Sequence, residues 1–206
     1  MARDLLAHGL AELGEEPEPE ALERLVHLAE RVAVWTRRVD LTSHETPEAV
    51  AGRLILDSAA LLRAAPDFES LADLGSGAGF PGLPIAILRP SCRVTLVESR
   101  ERRHHFQRAV IRELGISNAR ALRGRAERLQ AVPHAAAVAQ ATTTPQDALP
   151  LLLRWAEPGG LLLLPGGETA PQLPETSQVS AFEVVSYRVP AGGRLRTLWI
   201  GRRAAE

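Results

Sequence analysis

Asp73-Leu-Gly75-Ser-Gly77-Ala-Gly79-Phe80-Pro-Gly82 is the stretch whose reading decides the fold. The apolar run Leu71 to Leu74 before it has the length of a buried strand, and the residues from about Pro81 to Leu88 after it have the texture of a helix. Glycines between a strand and a helix let the backbone turn sharply and approach a ligand where a Cβ would clash. Working outward, further short apolar runs lie at Val94 to Val97, Ala119 to Leu122, Ala135 to Ala139, Leu161 to Leu164, Glu183 to Val189 and Leu195 to Ile200, with a helical pattern from about Arg102 to Leu114. Such alternation predicts an α/β fold: a doubly wound, mostly parallel seven-stranded sheet covered on both faces. Only Pro190-Ala-Gly-Gly193 joins the last two strands, too short for a crossover helix, so they are expected to pair as an antiparallel hairpin. The polar, Pro- and Gly-rich stretch Pro165 to Ser180 reads as a loop.

Upstream the texture is helical. Leu22, Leu25, Val26, Ala29, Val32, Ala33 and Trp35 recur at helical spacing within 20–38, and a shorter helix precedes Gly14 and the Pro17 and Pro19 segment. Thr46-Pro47 opens another helix, with Thr46 as its cap, that runs to Pro66. The expected organisation is a helical N-terminal extension over 1–66 packed on a core over 67–206.

Two cofactors compete for the glycine loop. Gly77-x-Gly79-x-x-Gly82 matches the dinucleotide fingerprint, whereas Asp73-x-Gly75-x-Gly77-x-Gly79 matches the loop that binds S-adenosylmethionine. An acid directly before the glycines suits a ligand carrying an ammonium and suits a dianionic pyrophosphate badly. Glu98, at the end of the next strand, is placed to accept hydrogen bonds from both ribose hydroxyls in either case. A glycine-rich turn with no ligand is the bland alternative.

Composition narrows the classes. The formal net charge is −1 and all 24 cations are arginine, so no lysine exists for a Walker-type phosphate loop or a Schiff base. The charges are uneven: acids dominate the first thirty residues, while arginines dominate from Arg89 to Arg128, an asymmetry that can mark a phosphate-facing surface. Cys92 is the lone cysteine, which excludes an internal disulfide, and no apolar run approaches the roughly 20 residues that span a bilayer. No leader pattern opens the chain, and the expected setting is the cytoplasm, with no membrane and no metal. His104 and His105 are adjacent, so on a helix their side chains diverge by about 100° and do not share a metal. Ser43-His44-Glu45 has triad letters, but chain neighbours seldom give triad geometry. Trp35, Trp155 and Trp199 read as core or rim residues.

Five stretches stand out together: Val39 to Ser43, Arg53 to Ser58, Asp73 to Pro84, Val94 to Ser99 followed by Arg102-Arg103, and Arg125-Ala126-Glu127. In these the chain resembles the bacterial small-subunit ribosomal RNA guanine-N7 methyltransferases, the glucose-inhibited division protein B family. The resemblance implies a Rossmann-like methyltransferase sheet, S-adenosylmethionine as cofactor and 16S rRNA or the small ribosomal subunit as partner of a monomer. It implies cofactor contacts at Asp73, Gly75, Gly77, Gly79, Phe80, Glu98, Ala126 and Glu127, and RNA contacts at Arg53, Arg102, Arg103 and Arg125. Asp57 and Ser58 would brace the cofactor side of the sheet. No catalytic acid or base is expected, because guanine N7 carries an in-plane lone pair and no proton; catalysis is then mainly alignment. The chain departs from the family at Asp40, Leu54 and Pro165, and at Gln140, where the family has an arginine beside the cofactor. Glutamine keeps hydrogen-bonding capacity but loses the fixed charge. An intact cofactor loop beside an altered substrate side leaves two other readings open: a divergent paralogue with another substrate, and a cofactor-binding RNA-binding protein without turnover.

Overall fold

The computed structural model describes residues 1–140 and 143–205. The chain opens with α1 (Ala2–Glu12) and α2 (Pro19–Thr36), then α3 (Pro47–Val50), a π-helical turn (Ala51–Ile55) and α4 (Leu56–Ala64). The core follows as β1 (Ser70–Leu74), α5 (Gly82–Leu88), β2 (Arg93–Glu98), α6 (Glu101–Glu113), β3 (Ala119–Arg123), β4 (His134–Ala139), α7 (Pro145–Trp155), β5 (Ala156–Gly166), β6 (Val179–Val189) and β7 (Arg194–Arg203).

The seven strands form one sheet in the order β3-β2-β1-β4-β5-β7-β6. Strands β1 to β5 pair in parallel, and β7 runs antiparallel to both β5 and β6. This is the doubly wound sheet with a terminal antiparallel hairpin that the alternation of runs implies. The strand order reverses between β1 and β4, and a ligand crevice is expected outside the carboxyl ends of the strands at such a switch point.

Successive side chains point to opposite faces of a strand, and the sequence fills both faces. Leu71, Val94, Leu96, Ala136, Val138, Leu161, Leu163, Leu198 and Ile200 belong to one apolar cluster, while Ala72, Leu74, Val97, Ala137, Ala139, Leu162, Leu164 and Trp199 belong to the other. The first cluster also contains Leu6 and Leu10 of α1, Leu25, Leu28 and Val32 of α2, and Leu56 and Leu61 of α4. The helical extension therefore closes one face of the sheet instead of standing apart from it. On the other face α7 lays down Ala148, Leu149, Leu152 and the fully buried Trp155.

Three elements differ from the sequence reading. Thr46 caps the third helix as expected, accepting from the Ala49 amide at 3.2 Å, but that helix is interrupted by the π turn. Gly52 lies in this turn with Leu5 of α1 near enough to contact a Cβ there, at 3.5 Å. Helix α7 was not anticipated, because Pro150 sits inside it. The Thr144 cap accepting from Asp147, Pro145 in the first turn and a wide apolar stripe outweigh the one hydrogen bond that Pro150 removes. The stretch read as a loop is shorter than expected: β5 continues through Pro165 to Gly166, and β6 starts at Val179. Pro165 is tolerated there among the antiparallel pairings of β5 with β7, opposite Leu198.

Candidate functional site

Strand β1 ends at Leu74 and the glycine loop begins. Gly75 and Gly77 have φ of 69° and 57°, values an L side chain rarely adopts, and this lets the loop fold back over the strand ends. The amides of Gly75 and Ser76 bond the Val97 carbonyl of β2 at 2.8 and 3.1 Å. The Gly77 amide donates to Glu98 Oε2 at 2.9 Å, and Glu98 Oε1 accepts from the Arg100 amide at 2.6 Å. Glu98 thus ties the glycine loop to the turn that leads into α6. Gln107 of α6 donates to Ser76 Oγ and to the Gly77 carbonyl, both at 2.8 Å, holding the loop from the other side.

Asp73 lies beneath the loop and is almost entirely buried. Its Oδ2 accepts from the Gly82 amide at 2.9 Å, closing the loop onto the start of α5, while Oδ1 is buried with no partner. Burial pushes the Asp73 carboxyl up from an ordinary 3.8 to about 7; the Gly82 amide opposes the shift and the Glu98 charge adds to it. Gly82 has to be glycine, because a Cβ there would meet Leu96 and come within 2.8 Å of Asp73 Oδ2.

Beside this loop is a cleft of about 380 Å3, lined by Leu74, Gly75, Val97 and Ser99 on one side and by Gly124, Arg125, Ala126 and Glu127 on another. Thr143, Asp147 and Leu151 complete it from the start of α7. It lies outside the carboxyl ends of β1, β2 and β3, next to the switch point. The cleft brings together four residues singled out from the sequence: Gly75, Arg125, Ala126 and Glu127. Gly77 and Glu98 stand at its edge through their mutual hydrogen bond. Asp73 and Gly79 are behind the loop, and Phe80 packs against the apolar cluster on the helical side.

Among the arginines, Arg102 is exposed on the first turn of α6, and Arg53 is exposed on the π turn. Arg103 donates from Nε and Nη2 to the Asp40 carbonyl at 3.3 and 3.2 Å, and its Nη1 would stand 3.9 Å from a Cβ on Gly77. It therefore ties the loop after α2 to α6, with its guanidinium beside the glycine loop. Arg125 is exposed at the cleft, 3.6 Å from Glu127.

Sequence reasoning missed what holds the third wall. Trp155 Nε1 donates to the Ala126 carbonyl at 3.1 Å, and Arg154 donates to the carbonyls of Glu127 and Leu129 at 2.7 and 2.5 Å. The C-terminal turn of α7 thereby fixes the segment that lines the cleft. The only signal in the sequence was a tryptophan with a hydrogen-bonding edge inside an apolar pattern. Asp57 was expected to act as a brace, but its partners were not foreseen: Arg196 of β7 donates from Nε to Oδ1 at 3.0 Å and from Nη2 to Oδ2 at 2.7 Å. Gln140 Nε2 adds a third bond to Oδ2 at 3.2 Å; its neighbour Ala141 lies outside the described residues. Ser58 Oγ donates to the Leu54 carbonyl at 2.7 Å and so braces the π turn.

Cys92 is buried on the far side of the core, where burial pushes its thiol up to about 11, so it is no nucleophile at neutral pH. Among the described residues no three His, Cys, Asp or Glu side chains converge as metal ligands would, and no helix is long and apolar enough to cross a membrane.

The donor set decides between the two cofactors. Glu127 and Asp147 line the cleft with carboxylates, Glu98 stands at its edge, and Arg125, the cation in its lining, already leans on Glu127. A pyrophosphate would meet repulsion there, whereas a sulfonium bearing an ammonium meets acceptors. Leu74, Val97, Ala126 and Leu151 supply apolar surface for a flat base. The residues present fit S-adenosylmethionine.

Comparison with known proteins agrees with this geometry. Residues 21–195 match the family model described as rRNA small subunit methyltransferase G. A curated protein of Anaeromyxobacter sp. (strain Fw109-5) named "Ribosomal RNA small subunit methyltransferase G" is 35% identical over 94% of both chains. The protein of that name from Chromohalobacter salexigens is 37% identical over 95% of both. Among solved structures, M. jannaschii TYW2 in complex with AdoMet superposes with a TM-score of 0.53 at 11% identity, covering 74% of this chain and 76% of that one. TrmN from Thermus thermophilus gives 0.53 at 24% identity over 71% of this chain and 48% of that one; at such identities these two likenesses speak for the fold. By the reach of the family model and the identity to its curated members, this chain belongs to the rRNA small subunit methyltransferase G family.

Proposed function

We propose that this protein transfers a methyl group from S-adenosylmethionine to N7 of a guanine in 16S ribosomal RNA, acting as a monomer in the cytoplasm. The observation that supports it most is the carboxylate-rimmed cleft at the sheet's switch point, in a chain of this family. S-adenosylmethionine, when bound, supplies an already activated methyl group on a sulfonium. The protein's part is to bind, orient and exclude water.

In this reading Gly75, Gly77 and Gly79 form the cradle, with Phe80 fixing its exit, and Asp73 serves the cationic tail. The ribose hydroxyls donate to Glu98. That carboxylate already accepts from the amides of Gly77 and Arg100, but it has about four lone-pair sites, so room remains for both hydroxyls. Ala126 and Glu127 meet the adenine. Arg53, Arg102, Arg103 and Arg125 meet RNA phosphates, and the 1–66 extension serves the 67–206 core by holding Arg53 and the Asp40 loop in place. No side chain has to take a proton from N7, so the reaction needs no acid–base pair in this cleft.

The test is transfer of a labelled methyl group to small ribosomal subunits from a strain lacking the modification, mapped by strand cleavage at N7-methylguanine. One labelled guanine is expected. Label entering protein or a small molecule while RNA stays inert favours the second reading, a changed substrate, for which Gln140 at the crevice is the specific reason. Salt-dependent RNA binding with no transfer favours a binding protein without turnover.

A further inference from the structure

We infer that Gln140 is a specificity residue that reads the O6 and N1–H edge of the target guanine, and that Asp57 and Arg196 are positioning residues that hold its amide in the one orientation able to do so. The inference rests on the proposed methylation of a guanine.

The placement comes from the sheet. Leu74 of β1 is in register with Ala139 of β4, so the next residues, Gly75 and Gln140, leave adjacent strands side by side at the switch point. Gly75 lines the cofactor cleft, and the half-buried Gln140 leaves the neighbouring strand at the same level, at the switch point beside which ligands of such sheets bind.

The orientation comes from the hydrogen bonds. A carboxylate accepts and does not donate, so Gln140 has to turn its amide nitrogen toward Asp57 Oδ2, at 3.2 Å. Asp57 is itself fixed: it is buried and gripped by both nitrogens of the Arg196 fork at 3.0 and 2.7 Å. One amide hydrogen of Gln140 is thus spent on Asp57. With the hydrogen anti to the oxygen given to Asp57, the carbonyl oxygen and the second amide hydrogen remain side by side in one plane, and among the described residues no donor bonds that oxygen.

An acceptor beside a donor complements guanine, whose N1–H donates and whose O6 accepts. Adenine presents the reverse order on the corresponding atoms, and meeting it in the same pose would require the Gln140 amide to flip. A flip points the carbonyl oxygen at the Asp57 carboxylate, which repels it. The clamp therefore selects against adenine, although adenine N7 has the same free lone pair. An arginine at this position would only donate and would lack the acceptor half of the pair.

The experiment uses small subunits carrying either the mapped guanine or adenine at that position, both from a strain lacking the modification, and compares kcat/KM for methyl transfer by the full chain. One bidentate base contact discriminates by about 10- to 100-fold, and the native protein should prefer guanine by at least that factor. Gln140→Met should reduce the preference by about 10- to 100-fold, through loss on guanine without matching loss on adenine. Gln140→Asn, which withdraws the amide by one methylene, should do the same and serves if the first variant does not fold. Asp57→Asn should also erode the preference, because an amide partner tolerates the flip; a merely structural Asp57 would lower both substrates equally. An unchanged guanine-to-adenine ratio in the Gln140 variants, or no preference in the native protein, overturns the inference. Failure of the native protein to label any guanine defeats the proposed function instead.

Discussion

Asp73 shows how one residue joins the fold to the site. Its carboxyl is driven up to about 7 by burial, so the folded chain holds this proton more tightly than the unfolded chain does. Its contribution to stability is therefore full below about pH 4 and is lost as the pH rises through about 7, by an amount on the order of a few kcal/mol. Asp73→Asn keeps an acceptor for the Gly82 amide and cannot ionise. Denaturant unfolding should show the variant close to the native protein near pH 4.5 and gaining on it by pH 8; parallel pH profiles would refute the account. Gly82 offers a second case. Alanine there drives a methyl into Leu96 and the Asp73 carboxylate, and overpacking of this kind costs about 1–3 kcal/mol. Gly82→Ala should lower the melting temperature, and adenosylhomocysteine should stabilise the variant less than it stabilises the native protein in a thermal-shift assay. Both residues were legible in the sequence, because a glycine pattern after an acid encodes backbone demands directly. Their partners were not: the Asp73–Gly82 bond and the Gly77–Glu98 bond depend on how the loop folds back, which spacing does not reveal.

At the level of elements, strands were easier to read than what braces them. The apolar runs of β1, β2, β4 and β5 read as strands because both faces of the sheet are buried there, leaving no polar alternation to confuse the pattern, whereas β3 and β6 at the two edges are more exposed. Helix α7 escaped notice through Pro150, yet it supplies the wall of the cleft. Trp155 reaches from that helix to the Ala126 carbonyl, and the indole is fully buried. Trp155→Phe keeps most of the packing but strands the carbonyl, a loss of about 1–3 kcal/mol for a buried unpaired group. Because the stranded group belongs to the cleft-lining segment, affinity for adenosylhomocysteine should fall along with stability. Isothermal titration at a temperature where the variant is fully folded separates the two effects, and unchanged affinity would mean that the bond only supports the core. The π turn was equally invisible, since neither Gly52 nor the apolar spacing around it distinguishes five residues of π-helix from α-helix.

Across the whole molecule, the fold sorts the arginines that run together in the chain. Arg93 opens β2 at the amino-terminal end of the sheet, and Arg89 is bound to Glu15 of the N-terminal segment at 2.6 Å, which holds that glutamate below its ordinary value. Arg120 donates to Thr95 within the sheet, and Arg123 pairs with Glu101 at 2.7 Å. The stretch from Arg89 to Arg128 is therefore not one surface, which linear charge counting had no means to show. Arg102 and Arg125 follow the carboxyl ends of β2 and β3, on the ligand side, and both are exposed. If they meet phosphates, each releases about one counterion on binding, and the logarithm of affinity falls with the logarithm of salt by about 0.9 per contact. Arg102→Gln and Arg125→Gln should each make that slope shallower by about one, and the double variant by about two. Arg93→Gln, at the opposite end of the sheet and 72% exposed, should leave it unchanged. Binding of a 16S rRNA fragment measured by fluorescence anisotropy between low and physiological salt reads the slopes of the native protein and of all four variants. Equal slopes for the Arg102 and Arg93 variants would mean that RNA does not approach the face on which the cofactor cleft opens.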